Sequence, residues 1–218
     1  MRVEFFFDVI CPWCYVGKVR FARALRQRQD YRVDVRFTPF LLNPDLPMSG
    51  VDRQTFLERK LGGPSRVQRL NNAVMEAGKA EGLRFNFERI YRTPNSIHAH
   101  RLIKFAAQSG LSIPAIDTLF KSYFRDGVDI GQVEDLIELG GELGMDDLDL
   151  ARFLYSDSDF STVMSDNTRA HRMGVTGVPC VVVDEKFAIS GAQESDVLVR
   201  LLDLAAENQM ELVSPITA

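Results

Sequence analysis

The chain of 218 residues holds 45% hydrophobic and 26% charged residues, with 26 basic against 30 acidic side chains and a formal net charge of -4. That composition fits an ordinary globule, one domain or one domain with a large insertion at about 150 residues per domain, and excludes disordered, collagenous and low-complexity classes. The acidic balance argues against a nucleic-acid partner, no run reaches the roughly 18 apolar residues of a membrane span, and 3 cysteines are too few for a disulfide scaffold.

The first segment, Val3 to Ile10, is apolar and aromatic and reads as a strand. Charges at Glu4 and Asp8, with no small-residue cleavage site after them, speak against a secretory leader, so a cytoplasmic location is expected. A helix should follow. Pro12 suits its first turn, and Tyr15, Val16, Val19, Ala22 and Leu25 recur at helical spacing. Its other face, Lys18, Arg20, Arg23 and Arg26, reads as a solvated basic surface. A second strand runs from about Tyr31 to Leu42 and ends at Asn43-Pro44-Asp45-Leu46-Pro47.

From about 50 to 173 every strong signal is helical. Val67, Leu70, Val74 and Ala77 form one apolar stripe. A second, Ile116, Leu119, Phe120, Tyr123 and Phe124, is entered at Ser112 and closed by Gly127. Val133, Leu136, Ile137 and Leu143 form a third. Asp146 to Tyr155 is a short helix, and another from about Ser158 to Met173 stops at Gly174. Strand character returns in Val181-Val182-Val183, with a turn near Asp184-Glu185 and a partner in Phe187-Ala188-Ile189. A helix from about Gln193 to Glu207 follows, and the tail from Ser214 to Ala218 reads as loose. The order β-α-β, helical block, α-β-β-α puts the outer parts in one α/β sheet unit, residues 1–48 and 157–218. The block at 49–156 then reads as a helical insertion.

Two of the cysteines stand as Cys11-Pro12-Trp13-Cys14, between the first strand and the first helix. A thiol at a helix N-terminus meets free N–H groups and the positive end of the helix dipole, so Cys11 is the expected nucleophile. Cys14, one turn inward, is the expected resolving thiol, and Trp13 offers an apolar rim for a substrate chain. A zinc site is the competing reading, but Cys180, His98, His100 and His171 supply no second close pair, so no metal is expected. Gly174-Val175-Thr176-Gly177-Val178-Pro179 leads into the valine-rich strand. A cis peptide there would set the Val178 main chain beside the dithiol, where an extended peptide could pair with it; a trans proline opening an edge strand is the plainer alternative.

Together these motifs resemble the DsbA-type branch of the thioredoxin-like superfamily, and most of all its FrnE-like oxidoreductases. The matching pieces run in the family's order along nearly the whole chain. They are Phe7-Asp8-Val9-Ile10-Cys11-Pro12-Trp13-Cys14-Tyr15-Val16-Gly17-Lys18, Pro94-Asn95-Ser96-Ile97-His98-Ala99-His100-Arg101-Leu102, Gly174 to Pro179, and Ile189-Ser190-Gly191-Ala192-Gln193. The resemblance implies an α/β thioredoxin-like fold with a large all-helical insertion, Cys11 and Cys14 as redox centre, and Pro179 as cis-proline. It also implies that Asn95, Ser190, Gly191 and Gln193 lie near the site with Pro12, Trp13 and Val178. The chain is similar too to 2-hydroxychromene-2-carboxylate isomerases and kappa-class glutathione transferases, which carry serine where this chain has Cys11.

Three readings follow from the residues and the resemblance. The first is a cytoplasmic thiol–disulfide oxidoreductase or isomerase acting on a disulfide-containing protein or a small thiol, with no bound cofactor and glutathione as a candidate redox partner. The second is a glutathione-dependent isomerase or transferase on an aromatic small molecule. The third is a chaperone-like binding module. Trp13 in place of a charged histidine between the cysteines points to a moderately reducing to intermediate potential. Asp8 is either a proton acceptor for the dithiol or a carboxylate that bonds its turn. Cys180 is either a core residue or a third redox thiol, expected close to the dithiol. Asn95 and Ser96 read as helix caps, and His98 and His100 as structural or surface residues. Monomer and homodimer are both open.

Overall fold

Residues Arg2–Phe7 form β1, and from Val3 onward the strand is buried on both faces because both faces of the sheet are covered. In the computed structural model, which describes residues 1–213 with side chains to Asn208, the main sheet has the order β2, β1, β5, β6. Here β2 is Asp34–Pro39, parallel to β1, while β5 (Cys180–Val183) and β6 (Phe187–Ser190) are antiparallel. β2 is shorter than the expected Tyr31 to Leu42 span, because only Arg2 to Phe7 are available as ladder partners. Asp184 and Glu185 both take positive φ, the backbone a tight hairpin turn between β5 and β6 requires. The tail at Ser214 to Ala218 lies outside the described residues.

Side-chain alternation divides the sheet into two cores. Val3, Phe5 and Phe7 share one face with Val181 and Val183, against the first helix and the helical block. Phe6 shares the other with Cys180 and Val182, under Ala170 and Val175. The helix α1 (Pro12–Arg26) packs on the first face, and α9 (Ser195–Val213) lies beside it. The basic face of α1, expected to be solvated, is exposed at Arg26 but forms a buried seam at Lys18 and Arg20. Lys18 is buried with its ammonium 2.6 Å from Asp117, and buried Arg20 donates to Glu81 at 2.8 Å and to the Ala192 carbonyl at 2.8 Å. These charges can be buried because each has a carboxylate partner.

Between β2 and the last strands lie α2 (Arg53–Leu61), α3 (Pro64–Ala80), α4 (Ile97–Ala107), α5 (Ser112–Lys121), α6 (Val133–Glu142), α7 (Asp147–Tyr155) and α8 (Phe160–Arg172). The block is helical apart from a two-residue ribbon, β3 (Val51–Asp52) with β4 (Arg92–Thr93), whose register puts Val51 opposite Thr93. After α5 the chain continues as a π-turn, Ser122–Asp126, closed by Gly127 at φ 79°. The wider turn lets Tyr123 and Phe124, adjacent in sequence, both be buried.

Arg101 is 0% exposed and organises one corner of the block. Its guanidinium donates to the carbonyls of Phe153 (2.6 Å), Leu154 (2.9 Å), Ser156 (2.7 Å) and Ser158 (2.7 Å), where α7 ends and needs donors. Arg101→Met removes every one of these donors and leaves the buried Leu154 carbonyl unpaired. It should lower unfolding stability by about 3 kcal/mol or more in denaturant titration; a loss below about 0.5 kcal/mol would show that α7 ends without it.

Candidate active site

The site is built where β1 hands over to α1. Cys11 takes the N-cap position with extended backbone, φ −92° and ψ 111°, and Pro12 occupies the first turn. Asp8 shapes the approach: its main-chain carbonyl accepts the Cys11 N–H at 3.0 Å. All three cysteines are free and buried. The Cys11 sulfur donates to the Val178 carbonyl at 3.6 Å, and the Val178–Pro179 peptide is cis. Pro179 is held from behind, its carbonyl accepting the Gly191 N–H at 2.7 Å. α1 passes so close that a Cβ on Gly17 would sit 2.9 Å from the Pro179 ring. A glycine is needed there for space, not for its φ.

Burial is the main cause that pushes the Cys14 thiol well above its ordinary range, and the hydrogen bond and charge of Cys11 push the same way. The Asp8 carboxylate lies in the same interior. It is 0% exposed and accepts from the Leu42 N–H at 2.8 Å and the Ile10 N–H at 3.4 Å, with His100 Nε2 3.4 Å away. The turn-bonding role weighed for Asp8 is thus present, and so is proximity to the dithiol.

Cys180 is not beside the dithiol. Register places it opposite Phe6, and strand alternation turns it to the other face of the sheet, where the Ser190 hydroxyl lies 3.7 Å from its sulfur. That face also takes the Ser190 side chain away from Cys11. Gly191 stays next to Pro179, and the Gln193 amide folds back onto the Ser190 carbonyl at 2.7 Å. Asn95 is 2% exposed and both ends of its amide are engaged, accepting from Ile97 N–H at 3.1 Å and donating to the Leu46 carbonyl at 2.8 Å. It braces the loop after β2. Ser96 stands at the N-cap of α4 but its side chain caps nothing.

A cavity of about 280 Å³ opens beside Cys11, Pro12 and Trp13 and is floored by apolar side chains of α2, α3 and the π-turn. Its lining holds two cations, Arg53 and Lys60, and no carboxylate. Arg53 sits 5.1 Å above the Phe87 ring, and Lys60 bonds the Asn43 amide oxygen. Residues of the site that the sequence left unmarked are His100, Arg53 and Tyr123. His100 does carry a signal: it falls three residues after Ile97 and three before Ile103, on the buried side of α4.

The sequence pattern of the DSBA-like thioredoxin domain family matches residues 2–203. Among solved structures, a probable DsbA oxidoreductase from Streptomyces coelicolor is 29% identical, with TM-score 0.89 over 100% of this chain and 93% of that one. A 2-hydroxychromene-2-carboxylate isomerase is 18% identical with TM-score 0.72, over 98% of this chain and 100% of the other. The cytosolic disulfide reductase DsbM from Pseudomonas aeruginosa, solved with GSH, is 17% identical with TM-score 0.64, over 97% and 99%. At the two lower identities the likeness is one of fold.

The unequal settings of the thiols predict ordered alkylation. At about pH 8 the reduced protein should take iodoacetamide first at Cys11, with Cys14 and Cys180 labelled only after unfolding, as read by peptide mass spectrometry. Equal labelling of Cys11 and Cys14 would contradict the burial of Cys14. Gly17→Ala should cost about 1–3 kcal/mol of stability and slow Cys11 labelling, because Pro179 must shift; unchanged melting and labelling would show that the ring has room.

Proposed function

Because the chain belongs to the DSBA-like thioredoxin domain family, we propose that it is a thiol–disulfide oxidoreductase whose redox centre is Cys11 with Cys14. The observation that carries this reading is the juxtaposition of the Cys11 sulfur at a helix N-cap with the Val178 carbonyl and Pro179. The Cys11 thiolate attacks a substrate disulfide, bonds to one substrate sulfur and releases the other as a thiolate. Cys14 then gives up its proton and attacks the Cys11 sulfur, so the Cys11–Cys14 bond forms and the second substrate thiolate leaves. Two electrons pass from the dithiol to the substrate, and the reverse sequence oxidises a dithiol. Asp8 takes the Cys14 proton, and the extended main chain at Val178 pairs with the substrate strand.

The helical block, taken as 49–156, is in this reading an insertion that shapes access to the dithiol. A cytoplasmic setting fits the pair as a reducing-side catalyst; among the described residues no helix is long and apolar enough to cross a membrane. A second reading has one observation in its favour. Arg53 and Lys60 line the cavity beside Cys11 without a carboxylate to neutralise them, which suits an anionic small thiol such as glutathione, as redox partner or as substrate of a transferase reaction.

Insulin reduction tests the first reading. The reduced protein should precipitate insulin B chain, Cys11→Ser should abolish this, and Cys14→Ser should accumulate mixed disulfides at Cys11. Its potential against a glutathione buffer should fall between about −270 and −180 mV. No turnover in excess dithiothreitol would sink the oxidoreductase reading, and a value near −120 mV would make the protein a strong oxidant instead.

A further inference from the structure

His100 belongs to α4 in the helical block, yet its imidazole reaches the floor of the dithiol site. It is 1% exposed, its ring stands edge-on to Phe7 at 5.2 Å, and Nε2 lies 3.4 Å from Asp8 Oδ1. Its other nitrogen, Nδ1, is buried with no hydrogen-bond partner among the described residues. A buried lone pair without a donor is tolerated better than a buried N–H without an acceptor, so the ring hydrogen belongs on Nε2, aimed at the carboxylate. Asp8 then receives three N–H groups, from Ile10, Leu42 and His100, and only the last comes from a side chain.

The remaining charged and titratable groups nearby are otherwise engaged. From α1, Cys14 faces the pair, its sulfur in hydrogen-bond contact with the Asp8 main chain and with the Cys11 thiol. From the π-turn, Tyr123 faces it, with its hydroxyl donated to the Arg92 carbonyl at 3.1 Å and Arg53 next to it. On α4 itself, Arg101 is bound at the end of α7 with His98 beside it, and Lys104 is bound to Asp166 at 2.7 Å.

We propose that His100 is a positioning residue, which orients and hydrogen-bonds the Asp8 carboxylate so that it can take the Cys14 proton in the resolving step. The proposal rests on the oxidoreductase reading above. In that step the Cys14 S–H proton passes to Asp8 and the Cys14 sulfur bonds to Cys11. The bond from Cys11 to the substrate sulfur breaks, and the substrate leaves with its electron pair as a thiolate. The proton on Asp8 returns to the leaving thiolate or to water. The His100 hydrogen bond, long at rest, matters where Asp8 must be ionised in an apolar interior.

Stopped-flow reaction of the reduced protein with 5,5′-dithiobis(2-nitrobenzoate) separates the steps. The first thionitrobenzoate released reports attack by Cys11, and the second reports resolution by Cys14. The rate of the second phase should fall with acid. In His100→Phe its acid limb should move to higher pH, with about a tenfold loss at neutral pH. His100→Gln keeps an N–H and should recover most of that loss, whereas a merely structural role would leave the pH profile in place. Asp8→Asn should lose the neutral-pH plateau and leave only a rate that rises steadily with pH, as the buried Cys14 thiol ionises without a base. If the limb stays put in both His100 variants, or Asp8→Asn keeps the profile of the unaltered protein, the proposal is overturned. Should His100→Phe fail to fold, the imidazole resonances of His100 in the intact protein decide: they should shift when Cys11 and Cys14 are oxidised, and unmoved resonances overturn it. Absence of both phases would sink the oxidoreductase reading itself, which keeps the two failures apart.

Discussion

A single buried carboxylate holds the site together. Asp8 follows β1, and its side chain ties three stretches of chain that are distant in sequence: its own turn at Ile10, the loop after β2 at Leu42, and α4 at His100. An ionised group without water is costly unless its oxygens are satisfied, so each of these segments is drawn to one point. The turn that results presents Cys11 at the start of α1 and buries Cys14 behind it. The loop at Leu42 becomes one wall of the cavity beside Cys11. The sheet unit and the helical block are therefore joined at the chemistry, and not only through apolar packing.

The same logic of paired burial recurs along the seam. Arg20 meets Glu81 at the end of α3, and its guanidinium also reaches the Ala192 carbonyl, in the loop that braces Pro179. Lys18 meets Asp117 on α5. These contacts fix α1 in rotation, and with it the direction in which the two thiols point. Gly17 then allows α1 to lie directly against the proline. Beside the dithiol a cavity opens where Trp13, α2 and α3 come together.

Local chemistry made most elements readable in advance. The helix from Asp147 begins after Asp146, whose carboxylate accepts the Asp149 N–H at 2.9 Å, and α5 with its π-turn ends at a left-handed glycine, as their residue types require. The dithiol between strand and helix was equally legible, because its spacing and its setting are both local. Less legible was the basic face of α1. Lys18, Arg20 and Arg23, at helical spacing, look solvated until Asp117 and Glu81, distant in sequence, are brought to them.

By itself the sequence determined the strand–helix frame, the dithiol at its junction and the proline before β5, since each depends on neighbours within a few residues. Only the tertiary structure decided which side chains share an interior. Antiparallel register and strand alternation sent Cys180 to the face away from Cys11, although one residue separates it from Val178. Helix packing brought His100 to Asp8, and Arg53 and Lys60 to a cavity without acid. Those outcomes turn on long-range pairing, where one step along a strand or a quarter-turn of a helix reverses what a side chain meets.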